Sequence, residues 1–221
     1  MPGWISSPLI GGEHGIINTH DVIKRWFDII LSLVLLIIFS PIMVIITLAI
    51  KITSPGEVIY RQQRLGRYGK IFYLLKFRSM VKNAESMGSG MLLEENDTRI
   101  TPLGKFLRKT SLDELPQLIN VLKGEMSMVG PRPAPVFHLP KYDDEQRRRL
   151  QFRPGITGWA QVNGRVALYW PQRIELDLWY IDHYSLLLDY KILLKTAWTV
   201  FDRKSTAAKP DRKDVDPFMK M

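Results

Sequence analysis

The sequence predicts an α+β protein, and three observations carry that prediction. They are an uncharged apolar segment near the N-terminus, two strand-like runs around a tight turn, and several short or amphipathic helical patterns behind them. In order, the expected elements are an N-terminal re-entrant membrane helix kinked at Ser40-Pro41, a small β-hairpin, short helices around an acidic pair, and two amphipathic helices.

Composition narrows the field. The chain has 221 residues, 31 Lys and Arg against 22 Asp and Glu, and no cysteine. That length suits one domain with an appendage. Without cysteine there is no disulfide, thiolate metal site or cysteine nucleophile. The four histidines, His14, His20, His138 and His183, show no metal-ligand spacing, which argues against a zinc enzyme. The mean hydropathy of −0.07 averages two unlike parts, because every charged residue lies outside Ile29–Ile50. A strongly basic module is joined to a membrane-grade segment.

That segment reads IILSLVLLIIFSPIMVIITLAI. About 20 apolar residues cross the hydrocarbon as a helix, so a span is permitted. Pro41 removes the hydrogen bond to the Ile37 carbonyl and crowds it, predicting a kink, and Ser40 can offer its hydroxyl to the freed backbone. The limbs on either side are about 18 and 15 Å long, each about half the hydrocarbon core. A straight helix would span; a sharply bent one would enter and leave one leaflet. Lys24 and Arg25 before the segment, and Lys51, Arg61, Arg64, Arg67 and Lys70 after it, put positive charge on both flanks. This favours both ends on the cytoplasmic side.

Val58–Gln63 and Ile71–Phe77 alternate as strands, with LGRYG as the turn between them. Lys82–Asn96, containing MGSGM, has little packable pattern and reads as a loop or lid. Leu103–Lys109 and Leu112–Leu122 read as short helices, the second stopped at Lys123-Gly124, and Asp143–Leu150 as a third. RPGITGWAQVNGR (Arg153–Arg165) reads as a glycine-punctuated loop. Ile174–Tyr184 and Leu186–Phe201 are amphipathic helices, suited either to a membrane interface or to the protein's own core.

The chemistry centres on TSLDELPQL, Thr110–Leu118. Ser111 and Glu114 have the spacing of a capping box, in which Asp113 merely complements the helix dipole. The same physics admits a second reading. An ionised carboxylate where backbone N–H groups attract anions can meet a substrate phosphate, act as nucleophile, and share Mg²⁺ with an adjacent acid. Cations to receive phosphate are at hand in Lys76, Arg78, Arg108, Arg132 and Arg153. Prolines on both sides stiffen the backbone around Arg132 in GPRP, presenting a guanidinium suited to bidentate phosphate contact. There is no GxxxxGK[ST] and no strand-linked GxGxxG, which argues against a P-loop or Rossmann nucleotide site.

Taken in order, KFRSM, TSLDELPQLINVLKGEMSMVGPRP and RPGITGWAQVNGR closely resemble the bacterial sugar transferases, the monotopic phosphoglycosyl transferases, from about His20 to Phe201 and including the Ser-Pro. The resemblance implies transfer of a sugar 1-phosphate from a UDP-sugar to polyprenyl (undecaprenyl) phosphate with release of UMP. It implies a ping-pong course in which Asp113 attacks the sugar-linked phosphate and Glu114 completes the dyad and helps hold Mg²⁺. Arg132 matches the family's phosphate- and nucleotide-contacting arginine, with Lys76, Arg108 and Arg153 as further members of the anion site. The implied location is the bacterial inner membrane, monotopic, with the two amphipathic helices as membrane-surface helices, the catalytic domain facing the cytoplasm and no nucleic-acid partner.

The expected division is a flexible lead over residues 1–19, the re-entrant membrane helix over 20–51, a cytoplasmic catalytic domain with interfacial helices over 52–203, and a disordered tail over 204–221. The chain reads as a small-type member with an N-terminal extension. The competing reading is a non-enzymatic, membrane-anchored basic module for anionic lipid or nucleic acid. It gives no reason for an acidic pair beside rigid arginines, and no helix-turn-helix or RNP pattern accompanies the charge.

Overall fold

A computed structural model describes residues 19–87, 97–164 and 168–201. The expected N-terminal lead apart from Thr19, most of MGSGM, Arg165 and the expected tail lie outside the described residues. Those described form a mixture of helices and two small sheets, headed by one long apolar helix, α1 (Thr19–Thr53).

α1 continues as helix on both sides of Pro41. Ser40 Oγ donates to the Ile37 carbonyl at 2.8 Å, taking the place of the N–H that Pro41 lacks. By length and composition the helix is sufficient to cross a membrane. One face packs inward along its length: Leu31 and Leu35 against the main core, Ile46 and Ile50 against Phe77 and Leu107. The opposite face is equally apolar and bare, with Ile37 65% and Ile45 64% exposed. A continuous bare apolar stripe of this kind marks a membrane-facing surface.

The first turns of α1 are tied down by polar contacts. Asp28 Oδ1 accepts from the Met128 amide at 2.9 Å and from Ser127 Oγ at 3.1 Å. Lys24 pairs with Asp189, whose other oxygen accepts from Tyr180 Oη at 2.6 Å. Arg25 donates to the carbonyls of Val121 and Leu122 at 2.6 and 2.8 Å. The two cations of the N-terminal flank thus have partners within the protein. Lys24 and Arg25 are consumed by internal partners, because Asp189 and the open carbonyls at a helix end draw them inward.

β1 (Ile59–Leu65) and β2 (Ile71–Phe77) form the hairpin, in antiparallel register from Ile59↔Phe77 to Leu65↔Ile71. The first strand begins one residue later and ends two residues later than its hydrophobic pattern suggests. The turn closes on a short 3₁₀ segment with Tyr68 at φ 59°. α2 (Pro102–Thr110) is capped by Thr101, whose hydroxyl accepts from the Gly104 amide at 2.9 Å. Gly104 sits so close to the hairpin's exit that a Cβ there would lie 1.9 Å from the Ser79 carbonyl oxygen.

The expected helix over Leu112–Leu122 is in fact two pieces. Ser111 ends α2 in the left-handed region at φ 58° and makes no side-chain cap. A 3₁₀ turn, Leu112–Glu114, follows, and α3 (Gln117–Lys123) starts only after Pro116. The Ser111/Glu114 capping box is therefore not formed: a residue closing one helix in the left-handed region lacks the extended backbone of an N-cap.

β3 (Ser127–Val129) and β4 (Gly155–Thr157) pair in parallel, a sheet the sequence pattern does not announce. α4 (Asp144–Arg147) carries a true capping box from Asp143 to Gln146. The segment read as a glycine loop contains β4 and α5 (Trp159–Asn163). α6 (Trp170–Asp182) buries Ile174, Asp177 and Tyr180. α7 (Leu186–Phe201) buries Ile192 in the protein's own core and leaves Leu187 62% and Trp198 77% exposed.

The main core joins Phe72 and Leu74 of β2 to Leu118, Val121, Met126, Met128, Tyr180 and Ile192. Across it Asn120 substitutes for a missing strand: its Oδ1 accepts from the Leu75 amide at 3.0 Å and its Nδ2 donates to the Tyr73 carbonyl at 2.8 Å. Asn120→Ala strands both backbone groups in a part-buried interface. The expected loss is about 2 kcal/mol or more in chemical denaturation, with the hairpin loosening from α3 in hydrogen exchange.

Candidate functional site

The two adjacent acids of the 3₁₀ turn face different surroundings. Glu114 Oε1 accepts from Lys76 Nζ at 2.7 Å and from Arg132 Nη2 at 2.9 Å. Burial would raise its carboxyl, but the two cations and their hydrogen bonds override this and hold it well below the usual carboxylate range. Asp113 is buried, and among the described residues neither of its oxygens is held by a hydrogen bond. Burial pushes its carboxyl up and Glu114 adds to the shift, against the opposing pull of Lys76, Arg108 and Arg132. Two neighbouring carboxylates thus have opposite shifts, a pattern associated with division of chemical labour.

Each cation is placed by the fold. Lys76 projects from β2, the strand that Asn120 fixes to α3. Arg108 sits in the last turn of α2, and its Nε donates to Ser79 Oγ at 2.8 Å. Desolvation lowers its affinity for its proton, while Asp113 works against that. Arg132 follows β3, where the Gly130 amide donates to the Thr157 carbonyl and the Gly155 amide to the Pro131 carbonyl, both at 2.9 Å. A Cβ on Gly130 would lie 2.4 Å from the Arg153 carbonyl oxygen, so only glycine permits this approach. From behind, Arg149 Nη2 donates to the Arg132 carbonyl at 2.9 Å while paired with the buried Asp177.

A cavity of about 410 Å³ opens at Glu114, while Asp113, the preceding residue, is not among those that line it. Glu114, Arg108 and Arg132 line its polar end, joined by Arg173 from α6. Its apolar walls include Leu35 and Phe39 of α1 and Leu118 of α3. The long apolar helix therefore contributes directly to the cavity wall.

The structure brings together Asp113, Glu114, Lys76, Arg108 and Arg132. It does not bring Arg153 to them: that side chain donates from Nε to the Gly124 carbonyl at 3.2 Å, with Arg67, Arg25, Asp21 and Asp28 as its charged neighbours. The RPG tripeptide orients Arg153 toward the end of α3 instead. Arg78 likewise turns away, donating to the Ser54 and Pro55 carbonyls beyond α1. Sequence reasoning overlooked Arg173, Gln161 and the α1 side chains of the wall. Arg173 was hidden in an ordinary amphipathic pattern, and nothing local marks Leu35 or Phe39 among their apolar neighbours.

Among the described residues no group of three His, Cys, Asp or Glu comes together as a metal cage. Mg²⁺ characteristically uses one or two carboxylates together with waters and substrate phosphates. The free carboxylate of Asp113 beside Glu114 fits that donor set.

The model of the family described as bacterial sugar transferase matches residues 19–203. A protein of Bacillus subtilis (strain 168) described as uncharacterized sugar transferase EpsL is 47% identical over 79% of this chain and 85% of its own length. An undecaprenyl-phosphate galactose phosphotransferase of Salmonella typhimurium is 41% identical over 92% of this chain but 49% of its own length. A UDP-glucose:undecaprenyl-phosphate glucose-1-phosphate transferase of Escherichia coli (strain K12) is 44% identical over 85% of this chain and 42% of its own. The chain therefore spans less than half of the latter two relatives.

A raised carboxyl makes a definite stability prediction. An acid whose folded-state pKa exceeds its unfolded value opposes folding once ionised, so stability falls as pH rises through the folded pKa. Asp113→Asn is expected to raise the melting temperature at neutral pH. That advantage should shrink as pH falls towards about 3.9, the unfolded value. Melting curves of both proteins between neutral and acid pH test it; an equal or lower neutral-pH midpoint for the variant refutes the burial argument.

Proposed function

The chain belongs to the bacterial sugar transferase family, and from that premise we propose that it moves a sugar 1-phosphate from a UDP-sugar to undecaprenyl, or another polyprenyl, phosphate with release of UMP. The observation that carries this reading is the buried Asp113 carboxylate, free of hydrogen bonds among the described residues, beside a Glu114 held ionised by Lys76 and Arg132. The cavity that opens at Glu114 has part of its wall, Leu35 and Phe39, from the long apolar helix. Such a site can accept a soluble anionic donor at its polar end and a lipid-borne phosphate along its apolar side.

In the first half-reaction an Asp113 oxygen bonds to the phosphorus that carries the sugar. The bond from that phosphorus to the bridging oxygen breaks, and UMP departs with the electron pair. In the second, an oxygen of the lipid phosphate attacks the same phosphorus and the Asp113 carboxylate is regenerated. The product is a polyprenyl diphosphate sugar. A carboxylate without hydrogen bonds in a desolvated site is more nucleophilic than a solvated one. Glu114 keeps Lys76 and Arg132 aligned towards the phosphate oxygens, and Arg108 and Arg173 extend the cationic surface. Mg²⁺, held by Asp113 and Glu114 together with the diphosphate, would neutralise phosphate charge.

The membrane reading continues from α1. We take the helix as a re-entrant element bent at Ser40-Pro41, with both ends on the cytoplasmic face of a bacterial inner membrane and α7 at the headgroup level. The exposed apolar stripe of α1, the Ser40–Ile37 hydrogen bond and the bare Leu187 and Trp198 support it.

Asp113→Asn is expected to lower UMP release by more than about a thousandfold while the protein remains folded in detergent. Wild-type protein given a UDP-sugar without lipid acceptor should gain the mass of one hexose phosphate, on the peptide containing Asp113. UMP release by the variant at near the wild-type rate would falsify the nucleophile assignment. For topology, His20→Cys and Lys51→Cys in this cysteine-free chain should both label from the cytoplasmic side. Labelling from opposite sides establishes a spanning helix instead.

A further inference from the structure

The cations of the cavity account for phosphate, but a nucleotide sugar is mostly neutral, and one side chain has the chemistry to read a neutral group. Gln161 of α5 lines the cavity, and both polar atoms of its carboxamide, Oε1 and Nε2, are buried without a hydrogen-bond partner. Among the described residues, no other side chain lining the cavity has a buried polar atom in that state.

Its position ties it to the anion site. Gln161 Oε1 lies 2.9 Å from where a Cβ on Gly158 would stand, so the amide rests over bare glycine backbone. Gly158 itself closes on Gly130, whose carbonyl oxygen would lie 2.2 Å from the same Cβ. Gly130 begins the turn that presents Arg132. The carboxamide thus stands one glycine away from the backbone that aims a phosphate-binding guanidinium.

A carboxamide has an acceptor and two donors, and native proteins rarely bury such atoms unpaired. Apolar residues of similar size would remove the penalty, so a cavity wall that retains the amide has its partner arrive from outside. We propose that Gln161 is a specificity-determining residue whose carboxamide pairs with a neutral donor–acceptor edge of the nucleotide sugar. The inference rests on the transferase reading. Two parts of a UDP-sugar have this chemistry: the imide edge of uracil, and the hydroxyl or acetamido groups of the sugar.

Gln161→Leu keeps the volume and removes both polar atoms. Full-length wild-type and variant proteins in lipid nanodiscs would be titrated with UMP, UDP-glucose, UDP-galactose and UDP-N-acetylgalactosamine, with Gln161→Met as a second variant should the first not fold. The ligand-free variant should melt at or above the wild-type temperature, since it loses an unsatisfied amide and no contact. Affinity for at least one UDP-sugar should fall about tenfold or more. If the amide meets uracil, UMP weakens by the same factor. If it meets the sugar, UMP is unaffected and the ranking of the UDP-sugars changes.

Binding of all four ligands within about twofold of wild type overturns the proposal, as does a lowered melting temperature in both variants, which marks a structural amide. Wild-type UMP release with undecaprenyl phosphate is measured beside the titrations. An active wild type with unchanged variants removes Gln161 alone. A wild type that neither binds nor turns over any of these UDP-sugars removes the transferase reading, and this inference with it.

Discussion

One carboxylate oxygen, Glu114 Oε1, is shared by Lys76 and Arg132, and the arrangement of the site depends on that sharing. The three residues come from a strand, a 3₁₀ turn and the loop after a second strand. Buried charges are tolerable only when paired and hydrogen-bonded, so the pair on Glu114 fixes where those three elements stand relative to one another. The supporting contacts serve the same end. Asn120 fastens β2 to α3, and Arg149 with Asp177 holds the Arg132 carbonyl.

Asp113 is the counterpart of that satisfied neighbour. It has the burial without the hydrogen bonds, and its carboxyl is raised where that of Glu114 is lowered. On the proposed transferase reading, the ionised form is thereby kept in a state that a substrate phosphorus can relieve. Free energy spent on such a site is supplied by the rest of the fold, including the core of Phe72, Leu74, Leu118, Val121 and Met126. The long helix has two roles at once. Its inner face completes the core and, through Leu35 and Phe39, the cavity wall, while its outer face stays apolar and exposed.

Much of this was readable along the chain because the signals are local. The uncharged run of α1, the alternation in β2, the Gly124 stop and the amphipathic pattern of α7 depend on neighbours a few residues apart. The parallel pair of β3 and β4 was not readable, since three-residue strands have no periodicity and their partner is far away in sequence. Ser111 misled for a related reason. The capping-box spacing was present, but Ser111 had already been used to end α2, and only the three-dimensional path reveals that.

The acidic pair, the rigid arginine of GPRP and the serine that answers Pro41 are properties of the sequence alone, because adjacency and proline stiffness act within a few bonds. Which cations reach the acids was decided by tertiary structure. Lys76, Arg108 and Arg132 converge, and Arg173 joins them unannounced, while Arg153 is drawn to the end of α3 by an open carbonyl. Lys24, which reads as membrane-flanking charge, is taken up by Asp189, far along the chain. Electrostatic partners are chosen by distance in space, and a chain that must bury its charges in pairs settles those distances only when it folds.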